Sequence, residues 1–147
     1  MMRSDEFLVL AVELVAAGSE ARHRTAVSRA YYGAFHFAKE LLAAAGIILP
    51  DTAEAHRKMQ MCLKESRVDD ARRAGDKLEL LRGQRNRADY DLRTADFRQK
   101  ETAESLLGVT QNLVAVLGTL RVEPLWSRFR SNVRTYAEQV LRLPISM

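Results

Sequence analysis

From Glu20 to Ala45 the chain runs without a proline and with a single glycine, and Val27, Ala30, Tyr31, Ala34, Ala38, Leu41, Leu42 and Ala45 recur along it at helical spacing. A stripe of that period is buried efficiently only on one side of an α-helix. Many of its members are small, so a neighbouring helix can come close. This segment therefore predicts a long core helix, and it sets the expectation for everything around it.

The rest of the chain follows the same pattern. A first helix is expected from about Ser4 to Ala17, with Ser4 as N-cap, Asp5 and Glu6 at the positive end of the dipole, and Gly18 as its stop. Its core residues are expected to be Phe7, Leu10, Ala11, Leu14 and Val15. After Gly46 and Pro50, a third helix is expected from near Asp51 or Thr52 to Lys64, and a fourth from Val68 to Ala88 with Gly75 and Gly83 inside it. A fifth carries Phe97, Ala103, Leu106, Leu107, Thr110, Leu113, Val114, Leu117 and Leu120. Glu123-Pro124 opens a last helix with the stripe Trp126, Phe129, Val133, Tyr136, Ala137 and Val140, closed by Leu143-Pro144. No alternating apolar run suggests a strand. The expected fold is all-α: an antiparallel bundle of four to five helices over residues 1–120, with an additional C-terminal helical extension over 121–147 packed on the bundle or on a partner.

With 147 residues, 29% of them charged, the chain has the balance of a globular domain able to bury a core. The net charge of +4, mostly from Arg, permits RNA or nucleotide binding without demanding it. Cys62 is the only cysteine, which excludes an intrachain disulfide, fits a reducing cytoplasm and rules out the usual cysteine zinc site. The apolar run Phe7–Ala17 is too short and too charged for a membrane span or signal peptide. His23, His36 and His56 show no metal-ligand spacing, and no glycine-rich phosphate loop is present, so no cofactor is expected.

Two stretches can carry chemistry. In Ser28-Arg29-Ala30-Tyr31-Tyr32-Gly33-Ala34-Phe35-His36, the residues Arg29, Tyr32 and His36, followed by Glu40, line one ridge of the long helix. A cation, a phenol, an imidazole and a carboxylate on one ridge suit a polyanion or nucleotide. A half-buried aromatic ridge under a neighbouring helix accounts for them equally well. In Leu81-Arg82-Gly83-Gln84-Arg85-Asn86-Arg87-Ala88-Asp89-Tyr90-Asp91, the residues Arg82, Arg85 and Asp89 share a face. Arg85 and Asp89 form either an ordinary i,i+4 ion pair or part of a phosphate grip, with Asn86 as a neutral donor and Tyr90 as a stacking or proton-donating group. Arg128, Arg130 and Arg134 on the last helix read as a solvated face.

The pairing of an S-R-A-Y-Y-x-x-F-H helix with a later L-R-x-x-R-N-x-A-D-Y helix resembles the HEPN family (higher eukaryotes and prokaryotes nucleotide-binding domain), over roughly residues 5–120. The resemblance implies a helical bundle that forms a homodimer, with the arginine motifs of two protomers meeting at a shared cleft. It implies an RNA-binding protein acting as a metal-independent endoribonuclease toxin of a prokaryotic toxin–antitoxin or defence module. Alternatively, it implies a non-catalytic nucleotide- or RNA-binding module that partners a small nucleotidyltransferase. A helical adaptor docking through the Trp126 helix is a third reading. The family's motif is an Arg, usually a polar residue, a short spacer and a His. Arg85-Asn86 matches its start, but the positions where His belongs hold Tyr90, counted from Arg85, or Asp89, counted from Arg82. The catalytic set is therefore expected to be Arg85, Asn86, Asp89 and Tyr90, with Arg29, Tyr32, His36, Arg82 and Arg87 binding RNA or nucleotide.

Overall fold

Two glycines set the first boundaries between elements. Gly18 and Gly46 take left-handed φ values of 80° and 93°, which a Cβ disfavours. At Gly46 a Cβ would also strike the guanidinium of Arg134 and the carbonyl of Ser146. The computed structural model describes residues 1–146. It contains six helices: α1 (Asp5–Ala17), α2 (Glu20–Ala44), α3 (Glu54–Lys64), α4 (Asp69–Tyr90), α5 (Lys100–Thr119) and α6 (Leu125–Gln139). A short 3-10 turn, Asp96–Arg98, precedes α5. The fold is all-α. Among the described residues there is no strand, only an isolated antiparallel bridge between Ile47 and Ile145.

The chain divides into two compact units, residues 1–37 with 78–113 and residues 38–77 with 114–147. In the first, Ala11, Val15, Ala26, Val27, Ala30, Ala88, Phe97, Ala103 and Leu107 form a buried cluster, with Leu8, Leu14 and Leu106 packed against it. Small residues bring α1 and α2 close. A Cβ on Gly33 would lie 3.1 Å from Leu8 Cγ and 3.2 Å from Phe7 Cβ. In the second unit α6 packs on α3. Phe129, Val133 and Ala137 of α6 are fully buried, as are Met59, Cys62 and Leu63 of α3. Asn132 Nδ2 donates to the Ser66 carbonyl (2.7 Å), Arg128 to that of Arg67 (2.8 Å) and Arg134 to those of Ala45 and Ser146 (3.0 Å each). Ser146 N in turn donates to the Gly46 carbonyl at 2.7 Å.

Several sequence-based expectations shift. Ser4 sits at the N-cap but makes no side-chain capping bond. The Glu6 carboxylate instead reaches back to the Arg3 amide, satisfying a donor from the opposite direction. Leu10 is 39% exposed rather than in the core, because α1 is apolar on more than one face and only Ala11 and Val15 are fully covered. Helix α3 begins at Glu54, after a turn, rather than at Asp51 or Thr52. The Phe97 stripe is split, with Phe97 buried in the 3-10 turn ahead of α5. Helix α6 stops at Gln139, leaving Val140 exposed, well before Pro144. Gly75 and Gly83 interrupt nothing, and α4 continues to Tyr90, two residues beyond the expected end at Ala88.

Arg24 explains that extension. The last carbonyls of a helix lack intrahelical donors. The Arg24 guanidinium, from α2, donates to the carbonyls of Ala88 (2.9 Å), Asp91 (3.0 Å), Thr94 (3.1 Å) and Arg87 (3.4 Å). Glu20 neutralises it at 3.1 Å, and its guanidinium carbon lies 5.2 Å from the centroid of the Phe97 ring. The end of α4 and the loop after it are thus held by one buried side chain of α2.

Candidate functional site

The Arg24 clamp keeps Arg82, Arg85 and Asp89 on one continuous helix, and that face of α4 looks onto α2. Arg85 lies over both tyrosines of the first stretch, its guanidinium carbon 5.7 Å from the Tyr31 ring centroid and 5.2 Å from that of Tyr32. Its Nη1 pairs with Asp89 Oδ2 at 3.6 Å, and the Arg85 side chain is only 12% exposed. The same Asp89 oxygen accepts from the Ser28 hydroxyl at 3.3 Å. Arg29 donates to that hydroxyl at 3.4 Å and lies 5.1 Å from the Tyr32 centroid and 5.8 Å from that of Phe7. Tyr32 is therefore in contact with two guanidiniums, from α2 itself and from α4.

The cluster carries more cations than local anions. The Nε atoms of Arg82 and Arg85 are both buried and have no hydrogen-bond partner. A buried donor without an acceptor costs roughly 1–3 kcal/mol and calls for an explanation. Burial pushes the Tyr31 phenol well above its ordinary range, and Arg82 and Arg85, both close enough to oppose the shift, do not overcome it. Tyr31 is fully buried and stays a neutral hydroxyl at the floor of the cluster.

His36 continues the ridge. Its ring stacks on Phe7 (centroids 5.5 Å apart, planes within 8°) and meets Phe35 edge-on at 5.2 Å and Tyr32 at 6.5 Å. Ring contacts thus run from Arg85 through Tyr32 to His36.

The structure brings Arg29, Tyr32, His36, Arg82, Arg85 and Asp89 to one side of α4 and its α2 partner face. Asn86 and Tyr90 lie elsewhere on α4, both exposed, Tyr90 to 76%. With Arg87, Asp91, Leu92 and Arg93 they line a shallow depression. Arg87 turns toward the 3-10 segment, pairing with Asp96 and donating to Thr94 Oγ1 at 3.1 Å and Gln84 Oε1 at 3.4 Å. Glu40, expected on the same ridge, is exposed.

Three residues of this region were not singled out from the sequence for a role in it. Ser28 lies one turn beyond Arg24 on α2, a visible spacing, but its partner sits 61 residues away. Arg24 gives no local signal, because its acceptors are backbone carbonyls. Phe7 comes from another helix altogether and could be placed only by packing.

The HEPN domain family model matches residues 1–120, a span that includes both of these helices. The chain belongs to the HEPN family. That membership points to a nucleotide-binding, RNA-binding or nuclease-type function carried by a helical bundle. No curated protein and no solved structure matches this HEPN chain. Helix α6 lies outside the matched residues. Among the described residues, no helix is long and apolar enough to cross a membrane.

Proposed function

We propose that this HEPN protein binds RNA through Arg29, Arg82 and Arg85 and cleaves it without a metal. We place it in the cytoplasm as a homodimeric endoribonuclease toxin of a prokaryotic toxin–antitoxin or defence module. The observation that carries the reading is the gathering of three guanidiniums, those of Arg29, Arg82 and Arg85, around Tyr31 and Tyr32 with a single carboxylate, Asp89, beside them. A phosphodiester at the open edge of the cluster balances that excess of positive charge, and guanidiniums fit phosphate oxygens well.

The chemistry needs a base for the 2′-hydroxyl, a cation for the growing phosphorane charge and an acid for the leaving oxygen. Asp89, held by Ser28 and Arg85, takes the 2′-hydroxyl proton. The 2′-oxygen attacks phosphorus, Arg82 and Arg85 bind the non-bridging oxygens, and the bond to the 5′-oxygen breaks. His36, reached across the Tyr32 ring, returns a proton to that oxygen, leaving a cyclic phosphate and a 5′-hydroxyl. The exposed Asn86 and Tyr90, with Leu92 beside them, form the part of the cleft that a second protomer covers, and Arg87 extends its positive surface.

A second reading has its own support. The same Asp89 oxygen already serves Ser28 and Arg85, so the carboxylate is as well suited to fastening α4 on α2 as to accepting a proton. The chain is then a non-catalytic module that binds RNA or nucleotide and partners a small nucleotidyltransferase.

Incubation of the purified protein with structured RNA in excess EDTA, beside an Arg85→Ala control, separates the two. Cleavage lost in the variant supports the ribonuclease. Cleavage undiminished in the variant removes Arg85 from the site. Salt-sensitive RNA retention without cleavage supports the binding module.

A further inference from the structure

A second concave site lies in the unit formed by residues 38–77 and 114–147, where the turn after α3 faces α6. It is a groove of about 260 Å³, lined by Glu65 and Arg67 from the turn and by Asn132, Thr135, Tyr136 and Gln139 from α6, with Val140 at one end. The four α6 residues recur at helical spacing on a face distinct from the buried Phe129, Val133 and Ala137.

The polar groups are only partly used. Asn132 spends its Nδ2 on the Ser66 carbonyl, which leaves its Oδ1 as an acceptor. Thr135 donates to the Ser131 carbonyl at 3.0 Å and keeps its lone pairs. Among the described residues, the Glu65 carboxylate, the Arg67 guanidinium and the Gln139 amide make no hydrogen bond or ion pair. Desolvation and the nearby Glu65 charge both push the Tyr136 phenol up from its ordinary value, so the ring stays neutral.

An unused carboxylate and an unused guanidinium at one small groove, beside an aromatic ring, select a ligand that offers both paired donors and paired acceptors. Guanine does so without a charge of its own. Its N1–H and N2–H donors match a carboxylate, and its O6 and N7 acceptors match a guanidinium. Adenine, cytosine and uracil lack that combination. The volume falls just below the range of drug-sized ligand sites, about 300 to 1,000 Å³, and suits one base rather than a longer segment.

We propose that this groove recognises a single guanine base, free as a nucleotide or unstacked from single-stranded RNA. Glu65 reads N1–H and N2–H, Arg67 reads O6 and N7, and the Tyr136 ring and Val140 cover the base. The site is built on α6, beyond the residues the family model matches, and it does not require the arginine cluster on α4.

Calorimetric titration of the full chain with GMP, AMP, CMP and UMP tests it, alongside hexaribonucleotides with and without guanosine. GMP, or the guanosine-containing oligomer, is expected to bind at least tenfold more tightly than its guanine-free counterparts. Tighter binding of GMP identifies free nucleotide as the source, and tighter binding of the oligomer identifies RNA. Glu65→Gln, a change at an exposed residue, is expected to erase the preference, and Glu138→Gln, an exposed α6 position outside the groove, to leave it intact. No guanine preference in either series, a preference that survives Glu65→Gln, or one lost in Glu138→Gln would each overturn the proposal. Because the readout is guanine preference and not cleavage, the result is separate from the fate of the ribonuclease reading.

Discussion

Arg24 of α2 donates to the carbonyl of Ala88 at 2.9 Å, and through the same guanidinium to three further carbonyls around the end of α4. One side chain thereby gives the Ala88 carbonyl, near the end of α4, a donor from outside the helix and ties the Asp91 and Thr94 carbonyls of the following loop to α2. That turn presents Asp89 to Ser28 and Arg85, so the site depends on the clamp without being touched by it. Replacing Arg24 with Ala leaves the buried Ala88 carbonyl without this donor and removes the part-buried bonds to the Asp91 and Thr94 carbonyls. A loss of about 2–4 kcal/mol in unfolding free energy is expected by denaturant titration. Faster amide exchange in the segment from Ala88 to Thr94 should accompany it. Normal stability would mean that water replaces the guanidinium without cost.

RNA retention should depend steeply on salt. If Arg29, Arg82 and Arg85 each neutralise one phosphate of a single strand, the logarithm of the binding constant should fall against that of salt with a slope of about −2. Filter binding at several salt concentrations gives this slope. Arg82→Ala should weaken binding and flatten the slope by about 0.7. Arg87→Ala should do less, because Arg87 is already paired with Asp96. Equal effects would contradict the cluster as drawn.

One substitution at two glycines of α4 should have opposite signs. At Gly83 a Cβ meets nothing within 4 Å, so Gly83→Ala should stabilise by about 0.5–1 kcal/mol through helix propensity alone. At Gly75 a Cβ would lie 2.9 Å from Lys64 Cγ, 3.2 Å from the Gln60 carbonyl oxygen and 3.3 Å from Leu63 Cβ. The backbone atom cannot swing aside as a side chain can. Gly75→Ala should therefore destabilise by about 1–3 kcal/mol. Thermal melts of the two variants decide the point.

Cys62 is fully buried, and burial pushes its thiol up to about 12. In the unfolded chain the thiol ionises near pH 9, while in the folded protein it keeps its proton. Above that pH the unfolded state binds fewer protons, so stability should fall as pH rises from about 9 toward 12. Tyr31, also raised, adds a fall of the same sign above its unfolded value. Iodoacetamide labelling at pH 8 should proceed only through unfolding, and denaturant should accelerate it. Rapid labelling of the folded protein would show that the site opens locally.

The long α2, the scarcity of breakers and the apolar stripes of α5 and α6 were legible in the sequence, because helical periodicity is a local property that burial then rewards. So was the ion pair between Arg85 and Asp89, whose spacing alone makes them neighbours on a helix. Val9, Leu10 and Val12 show the limit of that reasoning. An apolar helix does not say which of its faces will be covered.

Tertiary structure decided the rest. Spacing could not tell that Tyr32 would lie against Arg85 of a different helix, that Ser28 would share Asp89, or that Arg87 would turn away to Asp96. It could not reveal Arg24, whose partners are carbonyls that any sequence supplies. The physical reason is common to all four. Periodicity assigns each residue to a face of its own helix, but a side chain's partners depend on which faces are brought together and on how far the side chain can reach.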